Sequence, residues 1–154
     1  TVLEAVGEAR YVADLFAGCG TLTFALAKTA RVLAVEGHEV ALRALSQAAA
    51  HSDTLKKITT LCRDLAHAPL MPKELEAFDA VVFDPPRVGA KAQAEALAQS
   101  QVPVIVGVSC APATFARDAK ILCDGGYQLC WVAPVDQFLW SHHCELVGLF
   151  QRSL

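Results

Sequence analysis

The segment Asp14–Phe24, which reads DLFAGCGTLTF, carries the clearest structural pattern of this chain. It begins within an apolar run of strand character, Tyr11–Phe16, and leads into an Ala- and Leu-rich segment of helical length. Gly18 and Gly20 allow a tight turn between the two, so that a ligand can lie against exposed amides where the helix begins. Thr23 stands where a dinucleotide-binding fingerprint has its third glycine. The stretch therefore predicts a strand, a ligand-binding turn and a helix.

The alternation of strand-like and helix-like segments continues along the chain. Further strands are predicted at residues 31–36, 56–62, 78–84 and 102–109, and helices at residues 38–51, 90–99 and 113–123. Apolar strands separated by amphipathic helices predict a mostly parallel sheet covered on both faces, an α/β fold of the Rossmann-like kind. The last two apolar runs lack a helix between them, which predicts an antiparallel C-terminal strand. Residues 66–77 are predicted to be the longest irregular segment.

Composition places the chain among soluble single domains. It has 154 residues, 54% of them hydrophobic, and a net charge of -3. Its apolar runs are too short to span a bilayer, and the scattered Lys and Arg residues argue against a stand-alone nucleic-acid binder. No secretory signal is expected, and because the chain begins with Thr1 rather than Met, residues 1–154 are expected to be the C-terminal domain of a longer protein. The six cysteines form no CxxC pair, which indicates reduced thiols in a cytoplasmic protein.

Acidic side chains follow the predicted strands at their carboxyl ends, where open α/β sheets bind ligands. Glu36 ends the second strand and is suited to accept both hydroxyl hydrogens of a ribose. Together with the acid that precedes the glycines, it favours a nucleoside such as S-adenosylmethionine. Asp64, after the third strand, is suited to bind the exocyclic amine of an adenine, although Arg63 and Asp64 also fit a surface pair or a loop cap.

The fourth strand ends in FDPPRVGA, with Asp84 directly before two prolines. The prolines fix φ and remove amide donors, which makes a rigid shelf that carries the carboxylate. A structural strand end is the alternative, but the position at the ligand edge favours a site. Asp84 and Arg87, which follows the two prolines, are therefore assigned to the substrate.

Cys110 ends the fifth strand in VGVSCAPATFARD, where Pro112 suits the first turn of a helix. Unpaired amides and a partial positive charge at that position favour a thiolate. A single cysteine is more often a small buried hydrophobic residue, and the other five are interpreted in that way. Cys110 differs because it shares its edge with Gly18, Glu36 and Asp84.

Glu145 lies in an otherwise apolar C-terminal strand, where an unpaired carboxylate costs several kcal/mol unless it is neutralised or used. His143 shares its face if the segment is extended, and is suited to orient it. His142, His143 and Cys144 are adjacent and cannot all turn to one ion, so no metal site is predicted.

The succession of these motifs resembles the S-adenosylmethionine-dependent RNA 5-methyluridine methyltransferases, from about residue 11 to residue 151. The motifs are DLFAGCGTLTF, VEG, RDL, FDPPRVGA, VSCAPATFARD, DGGY and VDQFLWSHHCELVGLF. The resemblance implies a class I methyltransferase fold and a donor pocket of seven residues: Phe16, Gly18, Gly20, Thr21, Glu36, Asp64 and Asp84. It implies that Cys110 is the nucleophile and Glu145 the base, with transfer or ribosomal RNA as the substrate.

The chain departs from this family at identifiable positions. Ala111 stands where the family usually has Asn, and LWSH replaces a Pro-His-Thr sequence. The family's RNA-binding parts precede this domain, and some members hold an iron–sulfur cluster there, so the RNA is expected to bind mainly outside this chain. Two other functions stay open. One is an amino-methyltransferase of adenine or glutamine, which Arg87 disfavours because an aromatic residue is usual at its position; the other is a non-catalytic nucleoside- or RNA-binding module.

Overall fold

A single mixed sheet is the centre of the molecule. The computed structural model describes residues 1–135 and 144–152. Within them the strands are β1 (Tyr11–Leu15), β2 (Arg31–Glu36), β3 (Ile58–Cys62), β4 (Ala80–Phe83), β5 (Val104–Ser109), β6 (Tyr127–Val135) and β7 (Glu145–Arg152). Their order across the sheet is β3-β2-β1-β4-β5-β7-β6.

Helices connect the parallel strands, as the sequence predicts. They are α1 (Val2–Val6), α2 (Thr21–Leu26), α3 (Glu39–Ala50), α4 (Pro72–Leu75), α5 (Lys91–Ala98) and α6 (Pro112–Asp124). The five strands β1 to β5 pair in parallel. The strand order reverses between β1 and β4, so their carboxyl ends form the crevice in which such sheets bind ligands.

The C-terminal strand is antiparallel, which confirms the prediction, but it does not lie at the edge of the sheet. β7 lies between β5 and β6 and is antiparallel to both. In its register with β5, Val108 is opposite Val147 and Ser109 is opposite Leu146. This insertion brings the first residues of β7 to the ligand edge.

Two hydrophobic layers cover the sheet. One layer packs side chains of α1 and α2, such as Val6 and Leu26, against Val12, Val108 and Val147. The other packs side chains of α4, α5 and α6 against the opposite face. Because side chains alternate along a strand, residues two apart share a layer. Asp14 therefore lies on the α1 and α2 side, as do Glu36 and Asp84.

Three details differ from the sequence-based expectations. The segment 66–77 contains the short helix α4, because Pro72 suits a first helical turn and Leu75 is fully buried. Glu145 is the first residue of β7 and half-buried, rather than inside the strand. The five other cysteines are exposed, or half-buried in the case of Cys144, and none is a core residue. They lie at strand ends, on solvent-facing positions or beside turns, where apolar neighbours in sequence do not imply burial.

In the part of the chain that the structure describes, the helices are all too short or too polar to cross a membrane.

Candidate active site

A tight turn after β1 forms the floor of the site. Phe16 has a φ of 61°, Gly18 of 59° and Gly20 of 99°, so the backbone passes through the left-handed region three times within five residues. At Gly20 a Cβ atom would lie 2.8 Å from Cγ of Leu45 and 2.9 Å from Cε2 of Phe24. Only glycine fits this position, because both the φ angle and the space exclude a side chain. A non-glycine residue with positive φ, such as Phe16, marks strain that is common at ligand sites.

Glu36 ties this turn to the second strand. Its Oε2 accepts a hydrogen bond from the backbone N–H of Gly18 at 2.8 Å, and its Oε1 accepts one from the N–H of His38 at 2.8 Å. Both oxygens are thus engaged by the protein, although each retains a second lone pair. The structure therefore gives Glu36 a role that the sequence analysis missed, which is to hold the glycine turn in place.

Asp14 is the most perturbed acid of the site. It is 1% exposed, its Oδ2 accepts a 2.5 Å hydrogen bond from the Thr23 hydroxyl, and its Oδ1 has no partner among the described residues. Burial raises the pKa of this carboxyl to about 7, the bond from Thr23 opposes the rise, and the charges of Asp84 and Glu36 add to it. Asp14 is thus partly protonated near neutral pH.

A cavity of about 400 Å³ lies beyond the ends of β1, β2 and β3. Four of the seven residues predicted for the donor pocket line it: Phe16, Glu36, Asp64 and Asp84. Gly18 and Gly20 lie in the adjoining turn and do not line it, and Thr21 faces a second cavity instead. A third cavity of about 330 Å³ adjoins the first through Phe16, Leu65 and Ala66, which line both.

Asp64 is held at the rim of the first cavity. Its Oδ1 accepts from the N–H of Ala66 at 3.0 Å, and its Oδ2 lies 2.8 Å from Nδ1 of His67. The bond with His67, followed by that from Ala66, lowers the pKa of this exposed carboxyl. Arg63 does not pair with Asp64, because its guanidinium binds Glu74 at 2.8 Å and the carbonyl of Ala68 at 2.7 Å. Arg63 thus fixes the loop that follows Asp64.

The second cavity contains the predicted base. It has a volume of about 410 Å³ and lies on the α1 and α2 side of the sheet. Glu145, Asp84 and Thr21 provide its polar side chains besides Thr1, and Leu22, Val108 and Val147 are among its apolar ones. Although Asp84 reaches solvent, partial burial raises its pKa, and the negative charge of Glu145 adds to the shift. Asp84 lines both the first and the second cavity and is therefore their shared wall.

Cys110 lies directly beyond β5 and is half-buried. The pairing of β5 with β7 ends at Ser109 and Leu146, and continuing this register by one residue sets Cys110 opposite Glu145. Opposite residues of an antiparallel pair project from the same face, with Cβ atoms about 5 Å apart. The described lining of the second cavity includes Glu145 but not Cys110. The structure thus brings Glu145 and Asp84 into one cavity and leaves Cys110 beside it.

The turn at Cys110 is closed by its neighbours. The hydroxyl of Ser109 accepts from the N–H of Ala111 at 3.0 Å and lies 3.2 Å from the Ala111 carbonyl oxygen. α6 begins at Pro112, so the thiol stands next to the first turn of a 13-residue helix. The Ser109 turn and the start of α6 thus fix the backbone on both sides of Cys110.

Arg87 is exposed in the loop after β4, and its carbonyl accepts from the Thr114 hydroxyl at 2.9 Å. His142 and His143 lie outside the described residues. Among residues 1–135 and 144–152, no group of three potential metal ligands is found.

The strand order, the glycine turn and the acids at the sheet edge define the class I methyltransferase fold. Solved structures of that class superpose on the chain, such as magnesium protoporphyrin IX methyltransferase of Synechocystis PCC 6803 with bound S-adenosylmethionine, with a TM-score of 0.74 at 20% identity over 99% of this chain and 75% of that chain. The sequence model of the tRNA (uracil-5-)-methyltransferase family matches residues 2–153. The chain belongs to that family.

Relatives of this family match the chain almost throughout. An uncharacterized RNA methyltransferase of Rhizobium meliloti is 53% identical over 98% of this chain and 36% of its own length. The 23S rRNA (uracil(1939)-C(5))-methyltransferase of Alteromonas naphthalenivorans is 41% identical over 92% of this chain and 30% of its own length. The tRNA (uracil-54, C5)-methyltransferase of Pyrococcus abyssi, solved with S-adenosyl-L-homocysteine, has a TM-score of 0.82 at 29% identity over 97% of this chain and 36% of that chain. The chain thus spans about a third of the length of these relatives.

Proposed function

We propose that this domain transfers a methyl group from S-adenosylmethionine to C5 of a uridine in RNA, through a covalent adduct at Cys110. The observation that carries the proposal is the pair of cavities that share Asp84 as a wall. One cavity holds the residues expected for a nucleoside, and the other holds Glu145. A methyl donor and an acceptor base in these two cavities would meet at Asp84.

The first cavity fits the donor. Phe16 supplies an apolar surface, while Glu36 and Asp64 supply acceptors where a ribose and an adenine amine would bind. Asp84 adds a third acidic side chain to the lining of this cavity. A cluster of acids favours a ligand that carries positive charge, as S-adenosylmethionine does. When bound, the donor supplies an electrophilic methyl group.

Two residues of this chain supply the chemistry that uracil needs. C5 of uracil is a poor nucleophile, and covalent catalysis raises its electron density. The Cys110 thiolate adds to C6, so that the enolate formed carries its charge at C5. After methylation Glu145 accepts the C5 proton, and the electron pair of that C–H bond restores the C5–C6 double bond and expels the thiolate. The ionised form of Glu145 is the one required.

The target base can reach Glu145 only if other parts of the protein hold the RNA. The target uridine has to leave its stack, which costs a few kcal/mol. The net charge of -3 and the scattered basic residues do not favour strong binding of a polyanion. We infer that the chain is the catalytic domain of a longer protein whose other parts bind the RNA, in keeping with the length of its relatives. We expect the protein to act in the cytoplasm, because its six cysteines are free thiols and thiols stay reduced there.

Titration calorimetry with S-adenosylmethionine and a methyl-transfer assay test the proposal together. The chain is expected to bind the donor, and the full-length protein is expected to convert uridine to 5-methyluridine in undermodified RNA. Ribosomal and transfer RNA are offered separately, since one relative named above is a 23S rRNA methyltransferase and another is a tRNA methyltransferase. Methylation of an adenine or glutamine nitrogen would replace the proposal with an amino-methyltransferase. Donor binding without any transfer would identify a binding module.

A further inference from the structure

One face of α6 binds the loop that follows Asp84. The hydroxyl of Thr114 donates to the carbonyl of Arg87 at 2.9 Å, and Nη2 of Arg117 donates to the carbonyl of Val88 at 3.0 Å. Oδ2 of Asp118 accepts from the N–H of Ala90 at 2.7 Å. The three side chains come from positions i, i+3 and i+4 of the helix, so they form one continuous surface. We call Thr114, Arg117 and Asp118 the α6 latch.

The centre of the latch is a buried and fully paired carboxylate. Asp118 is 2% exposed. Its Oδ1 accepts from Nε and Nη2 of Arg117 at 3.0 Å and 2.8 Å, while its Oδ2 serves the Ala90 amide. A buried carboxylate is tolerated only when it is paired in this way. The loop backbone therefore helps to stabilise the buried Asp118 carboxylate, because the Ala90 N–H donates to it.

The loop runs against the latch at van der Waals distance. Gly89 has a φ of +80°, and a Cβ atom there would clash with Nη2 of Arg117 and lie 2.8 Å from Oδ2 of Asp118. Glycine is required both by the φ angle and by this close approach. The path of the loop is thus defined by the helix it touches.

The latch joins the two strand ends that carry the chemistry. Its helix begins two residues after Cys110, and the loop it binds begins at Asp84. β4 and β5 are neighbours in the sheet, so the latch closes a ring between their carboxyl ends. Within the loop itself, the N–H of Gly89 donates to the Pro86 carbonyl at 2.8 Å, and the two prolines restrict the backbone.

We propose that Thr114, Arg117 and Asp118 position the Asp84–Arg87 shelf relative to Cys110, so that the reacting base and the thiol meet in register. The inference rests on the proposed function for its catalytic readout. These residues act through the shelf and are positioning residues. The competing interpretation is purely structural: Asp118 holds the start of α5, where Ala90 offers no capping side chain.

The test compares Asp118→Asn with the matched control Asp124→Asn in the full-length protein. Asp124 lies on the same helix, but its side chain is exposed and pairs with Lys120 at 2.6 Å instead of with the loop. We expect Asp118→Asn to lower kcat by on the order of tenfold to a hundredfold, since a displacement of about 1 Å can have that effect. KM for RNA is expected to change less than about threefold, because the RNA is held mainly elsewhere. Asp124→Asn is expected to leave both values unchanged.

A double-mutant cycle separates positioning from stability. If the latch acts through the shelf, Asp118→Asn costs little additional kcat in a protein that already carries Asp84→Asn, whereas the losses of unfolding free energy remain additive. A kcat of Asp118→Asn equal to wild type, or losses of kcat that are fully additive, overturns the proposal. Should Asp118→Asn fail to fold, Thr114→Val removes only the hydroxyl contact to Arg87, and about a threefold loss of kcat is expected by the same reasoning.

Hydrogen exchange distinguishes failure of the latch from failure of the proposed function. In the latch proposal, the Ala90 amide exchanges at least about tenfold faster in Asp118→Asn than in Asp124→Asn, whatever the protein methylates. Equal exchange in the two variants contradicts the latch. A wild-type protein without activity on uridine, but with this difference in exchange, contradicts only the proposed function.

Discussion

Asp14 makes the stability of the domain depend on pH in a way that a single substitution removes. Its pKa rises from 3.8 to about 7 on folding, because the carboxyl is buried beside the negative charges of Asp84 and Glu36. Between these two values the folded state binds a proton that the unfolded state has released. The free energy of unfolding therefore falls as pH increases through this window, by about 1.4 kcal/mol per pH unit.

The shift of about three units corresponds to at most about 4 kcal/mol across the whole window. Asp14→Asn keeps an acceptor for the Thr23 hydroxyl and cannot ionise. We expect wild type and Asp14→Asn to differ little near about pH 3.5. The variant is expected to be more stable by about 1.5 to 2 kcal/mol near about pH 5 and by about 4 kcal/mol near about pH 8.

Urea denaturation of the chain at several pH values measures this difference directly. Asp53→Asn is the control, because it removes the same charge from an exposed position. Subtracting the wild-type curve from that of each variant cancels the titrating groups that do not interact with the replaced residue. A difference between wild type and Asp14→Asn that stays constant with pH, or that shrinks as pH rises, would refute the reasoning.

Three further predictions concern the site. Gly20→Ala is expected to lower the free energy of unfolding by about 2 kcal/mol or more and to abolish donor binding, because the added Cβ would clash with Leu45. Denaturation and calorimetry measure the two effects, and unchanged donor affinity would contradict the role of the turn. Cys110→Ser is expected to abolish methyl transfer with donor affinity nearly unchanged, while Cys123→Ser, an exposed control, stays active; near-normal turnover of Cys110→Ser rejects the nucleophile. Asp64→Asn is expected to weaken donor binding about tenfold in the same calorimetric assay, and equal affinity would remove Asp64 from the donor site.

The sequence predicts the parallel part of the sheet well, because burial on both faces leaves a plain signal. β2 and β5 contain the largely apolar runs VLAV and VIVGV, and the ends of β1, β2 and β4 are marked by a glycine turn, an acid and a proline pair, respectively. These local signals suffice to predict the parallel strands, because the crossover connections between parallel strands are almost always right-handed. The position of β7 between β5 and β6 could not be predicted in this way, since it depends on long-range pairing of two strands with similar patterns.

Local sequence signals predict where the site residues lie, but not which groups their side chains bind. Residues at strand ends, such as Glu36, Asp84 and Cys110, could be placed at one edge from the topology alone. The partners of their side chains could not. The bond from Gly18 to Glu36 spans 18 residues, and that from Ala90 to Asp118 spans 28. The sequence does contain one signal for the α6 latch. Asp118 is an acid on the buried face of an amphipathic helix, where it requires a partner.

In the proposed reaction, Cys110 and Glu145 act on the same base. Glu145→Gln in the full-length protein separates their two roles, because the variant keeps the shape of the side chain but cannot take the C5 proton. Incubation with S-adenosylmethionine and undermodified RNA, followed by mass spectrometry of the digested complex, is expected to show methylated RNA bound to the peptide that contains Cys110. Product released at the wild-type rate, with no RNA bound to that peptide, would contradict the account.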